Sequence, residues 1–339
     1  MNMSRLGSFR GTVGVIGAGR FGLALTETIA RHGHDVLLFT SLGERARELQ
    51  ESRRLPAIVP ELDRLHPKAG VTTDPRAFAD GCSLMLLTVS SEYFSPVMEP
   101  LGACLDGAHQ VVHAFHSLDG SGLQPVSERI KNLSCVLQVG VMAGPMHVSE
   151  LLEGKPNAVV VGSAFPGIRD AIGKVLGAGH IQVYGTSDLR GVEYAAALGQ
   201  VVAILIGLAD GLDLGASSHA ALLTRGLREI ASLGVELGAR EGTFHGLAGL
   251  GRLVDAVRRN EPNYAFGLEL ARTTSVHERL QCVPPEVQGV DVARHVDAWC
   301  RQHGAQVPVV QALARILQGD DPPRESLLAL MQHDAALVA

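Results

Sequence analysis

Three glycines stand at the spacing Gly17-x-Gly19-x-x-Gly22, directly after the apolar run Thr12–Gly17 and at the start of a stretch of helical period, Phe21–His32. In a strand–turn–helix each has a separate job. Gly17 permits a tight turn, Gly19 lets the backbone approach an anion, and Gly22 lets helix and strand pack closely. The helix start, which carries Arg20 and Phe21, offers N–H groups to a pyrophosphate. That is the chemistry of a dinucleotide site.

Other reactive side chains lie further on. His116 follows the apolar strand Gln110–Phe115, at the strand end where open α/β sheets bind ligands. It reads as an acid/base group for neutral pH, or as a loop histidine with no proton role. Arg252 reads as an anchor for a carboxylate or phosphate through two parallel hydrogen bonds, or as a charge filling a vacated site. His147, with His219 and His245, is a further candidate to line a cleft. Strand period puts His109 and His113 on one face and His116 on the other. With scattered cysteines and no CxxC pair, no metal site is expected.

The elements that must position these residues fall into two textures. Apolar strands at Thr12–Gly17, Asp35–Thr40, Ser83–Val89, Gln110–Phe115, Val136–Val141, Ala158–Gly162 and Ile181–Tyr184 alternate with helical segments at Phe21–His32, Glu44–Arg53 and Glu92–Leu105. Pro96 and Pro100 shorten or kink the last helix. The alternation predicts an α/β domain, a Rossmann-type doubly wound and mostly parallel sheet covered on both faces. After Gly185 helical period dominates from Leu189 to Met331, with turns expected at Gly211–Gly215, Gly238–Gly242, Gly249–Gly251 and Pro284–Pro285. Residues 1–185 are therefore read as an NAD(P)-binding domain and residues 186–339 as an all-helical substrate domain.

The second strand closes the dinucleotide site. Selectivity for NAD usually needs Asp or Glu at its tip, to hold the ribose hydroxyls. Here the strand ends in Thr40-Ser41. Ser41 and Arg45 read as acceptors of a 2′-phosphate, or as ordinary helix-start residues. The cofactor is NAD or NADP, with a lean to NADP tolerance.

Composition excludes other classes. The chain has 339 residues, 46% hydrophobic and 19% charged, which suits two domains with real cores. A net charge of −6 argues against a nucleic-acid partner. The apolar run Val201–Leu208 is too short for a membrane span and suits a buried helix. No signal peptide is evident before the first strand. Five cysteines, an odd number, suggest reduced, mostly buried thiols in a cytoplasmic protein.

Longer motifs carry a family resemblance. Gly191–Gln200 reads GVEYAAALGQ, Ala220–Leu227 reads AALLTRGL, and Thr243–Gly251 reads TFHGLAGLG. Gly144–Glu150 reads GPMHVSE, followed by Gly154-Lys155-Pro156-Asn157-Ala158. Together with the glycine loop these resemble the NAD(P)-dependent glycerol-3-phosphate dehydrogenase family, across nearly the whole chain. The resemblance implies hydride transfer between a nicotinamide and a small, anionic hydroxy or keto substrate, and a homodimer. It also places Ser90, in Leu86–Ser91, beside the nicotinamide.

The family's proton chemistry belongs to a Lys in a helix reading roughly GVELGGALKN. Gly199 stands in that Lys position and Gln200 in the Asn position. A second family lysine, in a pattern like ATKG, corresponds to His116. The family's GDL is Gly251-Arg252-Leu253, its nearby Thr is Ala256, and its SRNR run is Glu261-Pro262-Asn263-Tyr264, which keeps Asn263 as a substrate candidate. Its C-terminal EG pair is Gln288-Gly289. Two readings follow: an oxidoreductase with an altered substrate, or a catalytically silent NAD(P)-binding member acting as a sensor or interaction protein.

Overall fold

The computed structural model describes residues 11–332 apart from 121, 259 and 274. The readings of the N-terminal segment and of the extreme tail fall outside the described residues. The chain divides into two units. One runs to Phe115 and resumes over Val126–Leu189; the other comprises His116–Pro125 and the chain from Arg190 onward.

The first unit is a sheet with helices on both faces. Its elements are β1 (Thr12–Ile16), α1 (Arg20–Arg31), β2 (Val36–Phe39), α2 (Gly43–Ser52), β3 (Ala69–Thr72), α3 (Pro75–Gly81), β4 (Cys82–Leu87), α4 (Phe94–Gly102) and β5 (Gln110–His113). The hairpin β6 (Leu118–Asp119) and β7 (Gln124–Pro125) belongs to the other unit. The first unit then continues with α5 (Val126–Leu133), β8 (Gln138–Ala143), α6 (Val148–Glu153), β9 (Asn157–Gly162), α7 (Pro166–Leu176) and β10 (Ile181–Thr186). The strand order is β10-β9-β8-β5-β4-β1-β2-β3. Every ladder is parallel except β8 with β9. This is the doubly wound α/β sheet that the alternating texture predicts.

Period-two alternation explains why both faces are covered. On β4, Leu84 and Leu86 join Val13, Val15 and Leu38 in one apolar core. Met85 and Leu87 point the other way, into a second core with Ile16, Phe78 and Phe94. β1 lies between β2 and β4, with Ile16 level with Phe39 on one side and Leu87 on the other. The chain leaves β1 toward β2 and later returns on the opposite side as β4. That makes the end of β1 a topological switch point, where such sheets bind ligands.

The second unit is helical apart from its hairpin. It contains α8 (Leu189–Gly211), α9 (Ala216–Glu236), α10 (Glu241–His245), α11 (Arg252–Ala256), α12 (Pro262–Leu270), α13 (Val276–Leu280), α14 (Gly289–His303), α15 (Pro308–Gln318) and α16 (Pro323–Gln332). By length and apolar composition α8 would suffice to cross a membrane, but its apolar stretch from Gly191 to Ala209 is buried inside the protein and forms the centre of the core. Leu118 and Leu123 of the hairpin are buried in the same core. The Tyr194 hydroxyl donates to the Leu123 carbonyl at 3.3 Å, and His295 Nδ1 lies 3.1 Å from the Leu118 carbonyl.

Two elements lie beyond the sequence reading, and two readings are corrected. The hairpin and the short edge strand β3 were not anticipated. The expected turn at Gly249–Gly251 is instead part of a π-helical segment, Leu247–Gly251, that runs into α11. The cysteines are not mostly buried: Cys82 and Cys300 are, Cys104 is half-buried, and Cys135 and Cys282 are exposed. All five are free thiols, and burial pushes Cys82 up to about 12 and Cys300 up to about 11.

Candidate active site

The glycine loop has the geometry its spacing predicts. Gly17 has a φ of +116°, which favours glycine. A Cβ on Gly22 would lie 2.0 Å from the Gly17 carbonyl oxygen, so only glycine lets α1 begin here. Gly19 is the N-cap of α1, in extended conformation, with no side-chain cap, and a Cβ there would meet nothing within 4 Å. The first N–H groups of α1 therefore open onto free space beside a bare backbone. A helix start of this kind can hold a pyrophosphate.

The neighbouring segments brace and extend this loop. Thr88 Oγ1 donates to the Ile16 carbonyl at 2.9 Å and ties the end of β4 to the loop. Ser90 directly precedes the 3₁₀ turn Ser91–Tyr93, and its hydroxyl lies 3.4 Å from Glu92 Oε1. The Arg20 guanidinium is turned outward onto Glu61, so Arg20 has its backbone N–H to offer the loop. Phe21 is half-buried and packs against the β1 core. At the tip of β2, Thr40 is buried and Ser41 is exposed. Arg45 reaches back, with Nη1 3.4 Å from the Ala18 carbonyl. Beyond the tip of β2 there thus stand an exposed Ser41 and an Arg45 guanidinium that reaches the loop. These residues fit a nicotinamide dinucleotide.

In the second unit a polar relay links α14, α12 and α8 through the core. The Gly289 N–H, in the first turn of α14, donates to Asn263 Oδ1 at 3.0 Å. Asn263 Nδ2, on α12, donates to Gln200 Oε1 at 2.9 Å. Gln200 Nε2, on α8, donates to the backbone carbonyl of His116. Gln200 and Asn263 are 5% and 7% exposed, which makes these bonds obligatory. His116 is half-buried, with its Nε2 away from solvent. Next to Gln200, Gly199 is buried, yet a Cβ there would meet nothing within 4 Å. Sequence reasoning had Gln200 as a replacement and Asn263 and Gly289 as retained residues, without joining them; the cue that joins Gln200 and Asn263 is polar side chains within apolar helical segments.

Arg252 is already engaged. Its guanidinium lies 3.6 Å from Asp255 and 3.3 Å from Glu261. Two carboxylates hold it, which favours the reading of a neutralised charge over that of an open anion anchor. His147 is the N-cap of α6 in the first unit, whereas His116, Arg252 and Asn263 belong to the second. Arg225 donates to the Leu330 carbonyl, a structural role. Glu229 accepts from the N–H groups of Val309 and Val310, both at 3.0 Å, and so caps α15 from α9.

Comparison with known proteins agrees with this geometry. NAD-dependent glycerol-3-phosphate dehydrogenase matches in both of its parts, the N-terminal part over residues 12–167 and the C-terminal part over residues 188–328. The chain belongs to this dehydrogenase family. The glycerol-3-phosphate dehydrogenase [NAD(P)+] of an Exiguobacterium species is 31% identical over 325 residues, 95% of either chain. That of Deinococcus radiodurans is 33% identical over 333 residues, again 95% of each. The crystal structure of glycerol-3-phosphate dehydrogenase from Coxiella burnetii superimposes with a TM-score of 0.87 at 27% identity, covering 96% of this chain and 99% of that one. This family member is accordingly an NAD(P)-dependent oxidoreductase resembling glycerol-3-phosphate dehydrogenase, and nothing in these likenesses favours a silent binder.

Proposed function

We propose that this dehydrogenase reduces or oxidises a small hydroxy/keto substrate related to, but different from, dihydroxyacetone phosphate, with His116 as its acid/base group. The bound nicotinamide supplies or accepts the hydride. The protein's own residues must hold the cofactor and move the proton. The glycine loop, Ser41, Arg45 and Ser90 serve the first task. For the second, Gly199 has no side chain to give. The observation that carries the reading is the Gln200 bond to the His116 carbonyl, which keeps His116 next to the turn of α8 that bears Gly199. An imidazole there can give or take a proton at neutral pH.

Asn263 and His147 remain substrate candidates in this reading, whereas Arg252 is held by Asp255 and Glu261. Asn263 keeps one amide hydrogen beyond its relay bond. The protein works on a small molecule as a cytoplasmic homodimer, in line with five unpaired thiols and the family's habit. The test is NAD(P)H consumption by purified protein against a panel of small keto compounds that includes dihydroxyacetone phosphate. His116→Gln is expected to abolish turnover while leaving cofactor affinity intact. Undiminished turnover in that variant would refute the assignment.

A further inference from the structure

We propose that Gln200 is a positioning residue: the relay from Gly289 through Asn263 to Gln200 fixes where His116 stands. The inference rests on the reading of His116 as the acid/base group, but its geometry stands apart from it.

All three bonds point the same way. The backbone N–H of Gly289 fixes Asn263 Oδ1 as acceptor. That leaves Asn263 Nδ2 to face Gln200 Oε1, and in turn Gln200 Nε2 to face the His116 carbonyl. Reversing either amide would set oxygen against oxygen or N–H against N–H, so the backbone groups at the two ends dictate both orientations. Hydrogen bonds in such a chain polarise one another. Four segments meet in it: the start of α14, α12, α8 and the strand-end loop that carries His116.

The packing leaves the relay no slack. A Cβ on Gly289 would lie 2.8 Å from Asn263 Oδ1 and 2.9 Å from the Gln200 carbonyl oxygen. Glycine is therefore what allows the α14 N-terminus to approach closely enough. A free Gln side chain loses on the order of 1.5–2 kcal/mol of rotamer freedom when fixed. Here both ends of its carboxamide are bonded, which offsets that loss. An Asn at 200 would be one methylene shorter and would reach Asn263 or His116, but not both.

The test is spectroscopic and uses the whole protein. Histidine-labelled protein gives ring C–H correlation signals, and the His116 signal is identified by its loss in His116→Gln. Asn263→Asp keeps the acceptor for Gly289 but removes the donor to Gln200. Gln200 must then turn its amide group toward residue 263 and present its oxygen to the His116 carbonyl. The His116 signal is expected to shift or broaden while His34 and His66, which belong to the first unit, hold their positions. Gly289→Ala crowds Asn263 Oδ1 and the Gln200 backbone carbonyl and should move the same signal. With a substrate in hand, Asn263→Asp should lower kcat by about tenfold or more, as expected for a misplaced acid/base group.

If the His116 signal in folded Asn263→Asp and Gly289→Ala proteins coincides with that of the wild type, the positioning role is refuted. If it moves while His116→Gln retains full turnover, the relay stands and the acid/base assignment falls.

Discussion

Asn263 donates from Nδ2 to Gln200 Oε1 at 2.9 Å, and both side chains are buried. Gln200 stands where the family resemblance leads one to expect the Asn of a Lys-Asn pair, and its partner Asn263 is the residue kept from the family's SRNR run. Breaking their bond should be costly. Asn263→Ala leaves the Gly289 N–H and one Gln200 acceptor without partners in the core, and a buried unsatisfied group costs about 1–3 kcal/mol. A lowered urea midpoint for the variant is the expected result; an unchanged midpoint would show that water replaces the lost amide without loss.

The glycine loop separates binding from folding. Gly19 has open space beside it and Gly22 has none. Gly19→Asp should fold normally, by circular dichroism, and fail to bind NADH or NADPH in a fluorescence titration. Gly22→Ala should lose stability as well, because its Cβ meets the Gly17 carbonyl. Normal dinucleotide affinity in Gly19→Asp would remove this loop from the binding site.

Arg45 should set the cofactor preference. Wild-type protein is expected to bind NADPH at least as well as NADH. An Arg–phosphate hydrogen bond is worth about 1.5–3 kcal/mol. Arg45→Ala should therefore weaken NADPH binding about tenfold or more and leave NADH nearly unaffected. Equal losses for both cofactors would mean that Arg45 only supports the loop.

Gly199 should respond in opposite senses to two substitutions. A methyl group there meets nothing within 4 Å, and α8 is helical on both sides. Gly199→Ala should raise stability by about 0.5–1 kcal/mol in thermal unfolding. Gly199→Lys should not restore robust turnover of dihydroxyacetone phosphate, because the surrounding amide pair and the clamped Arg252 are unchanged. Vigorous wild-type activity on that compound would contradict the proposal of an altered substrate.

Burial pushes the Glu229 carboxyl up to about 7, against its two N–H donors and the nearby Arg225, which favour the carboxylate. A raised value means that the native state binds this proton more tightly than the unfolded chain does. The contribution is fully present below about 4.5 and is lost as pH rises through about 7. Urea midpoints at pH 5 and pH 8 should therefore differ less in Glu229→Gln than in the wild type. Equal differences would mean that the two N–H donors keep the carboxyl ionised.

The fold was largely legible because its signals are local. Thr12–Gly17, Ser83–Val89 and Gln110–Phe115 each carry enough apolar period to be read alone, and each is a central strand. β3 is four residues long and two of them are half-buried, so its period is faint. The hairpin strands have two residues each, below any periodic signal. In the site, the glycine loop was readable because one short segment holds the whole motif. The relay was not, because Gln200, Asn263 and Gly289 are far apart in sequence and no spacing rule links them. Arg252 was readable as a charge, but its partners Asp255 and Glu261 decide what that charge does.

The excursion of His116–Pro125 into the second unit bears on how the molecule is made. These residues leave the ribosome before β8, β9 and β10 of the first unit, and well before α8, whose Tyr194 seeks the Leu123 carbonyl. The hairpin must wait for α8 while the rest of the sheet is synthesised, and the second unit is completed only after the first has been. A fragment starting at Arg190 would lack Leu118 and Leu123 from its core and the carbonyl that meets His295. Such a fragment is expected to stay partly unfolded until a peptide spanning the excursion is added in trans.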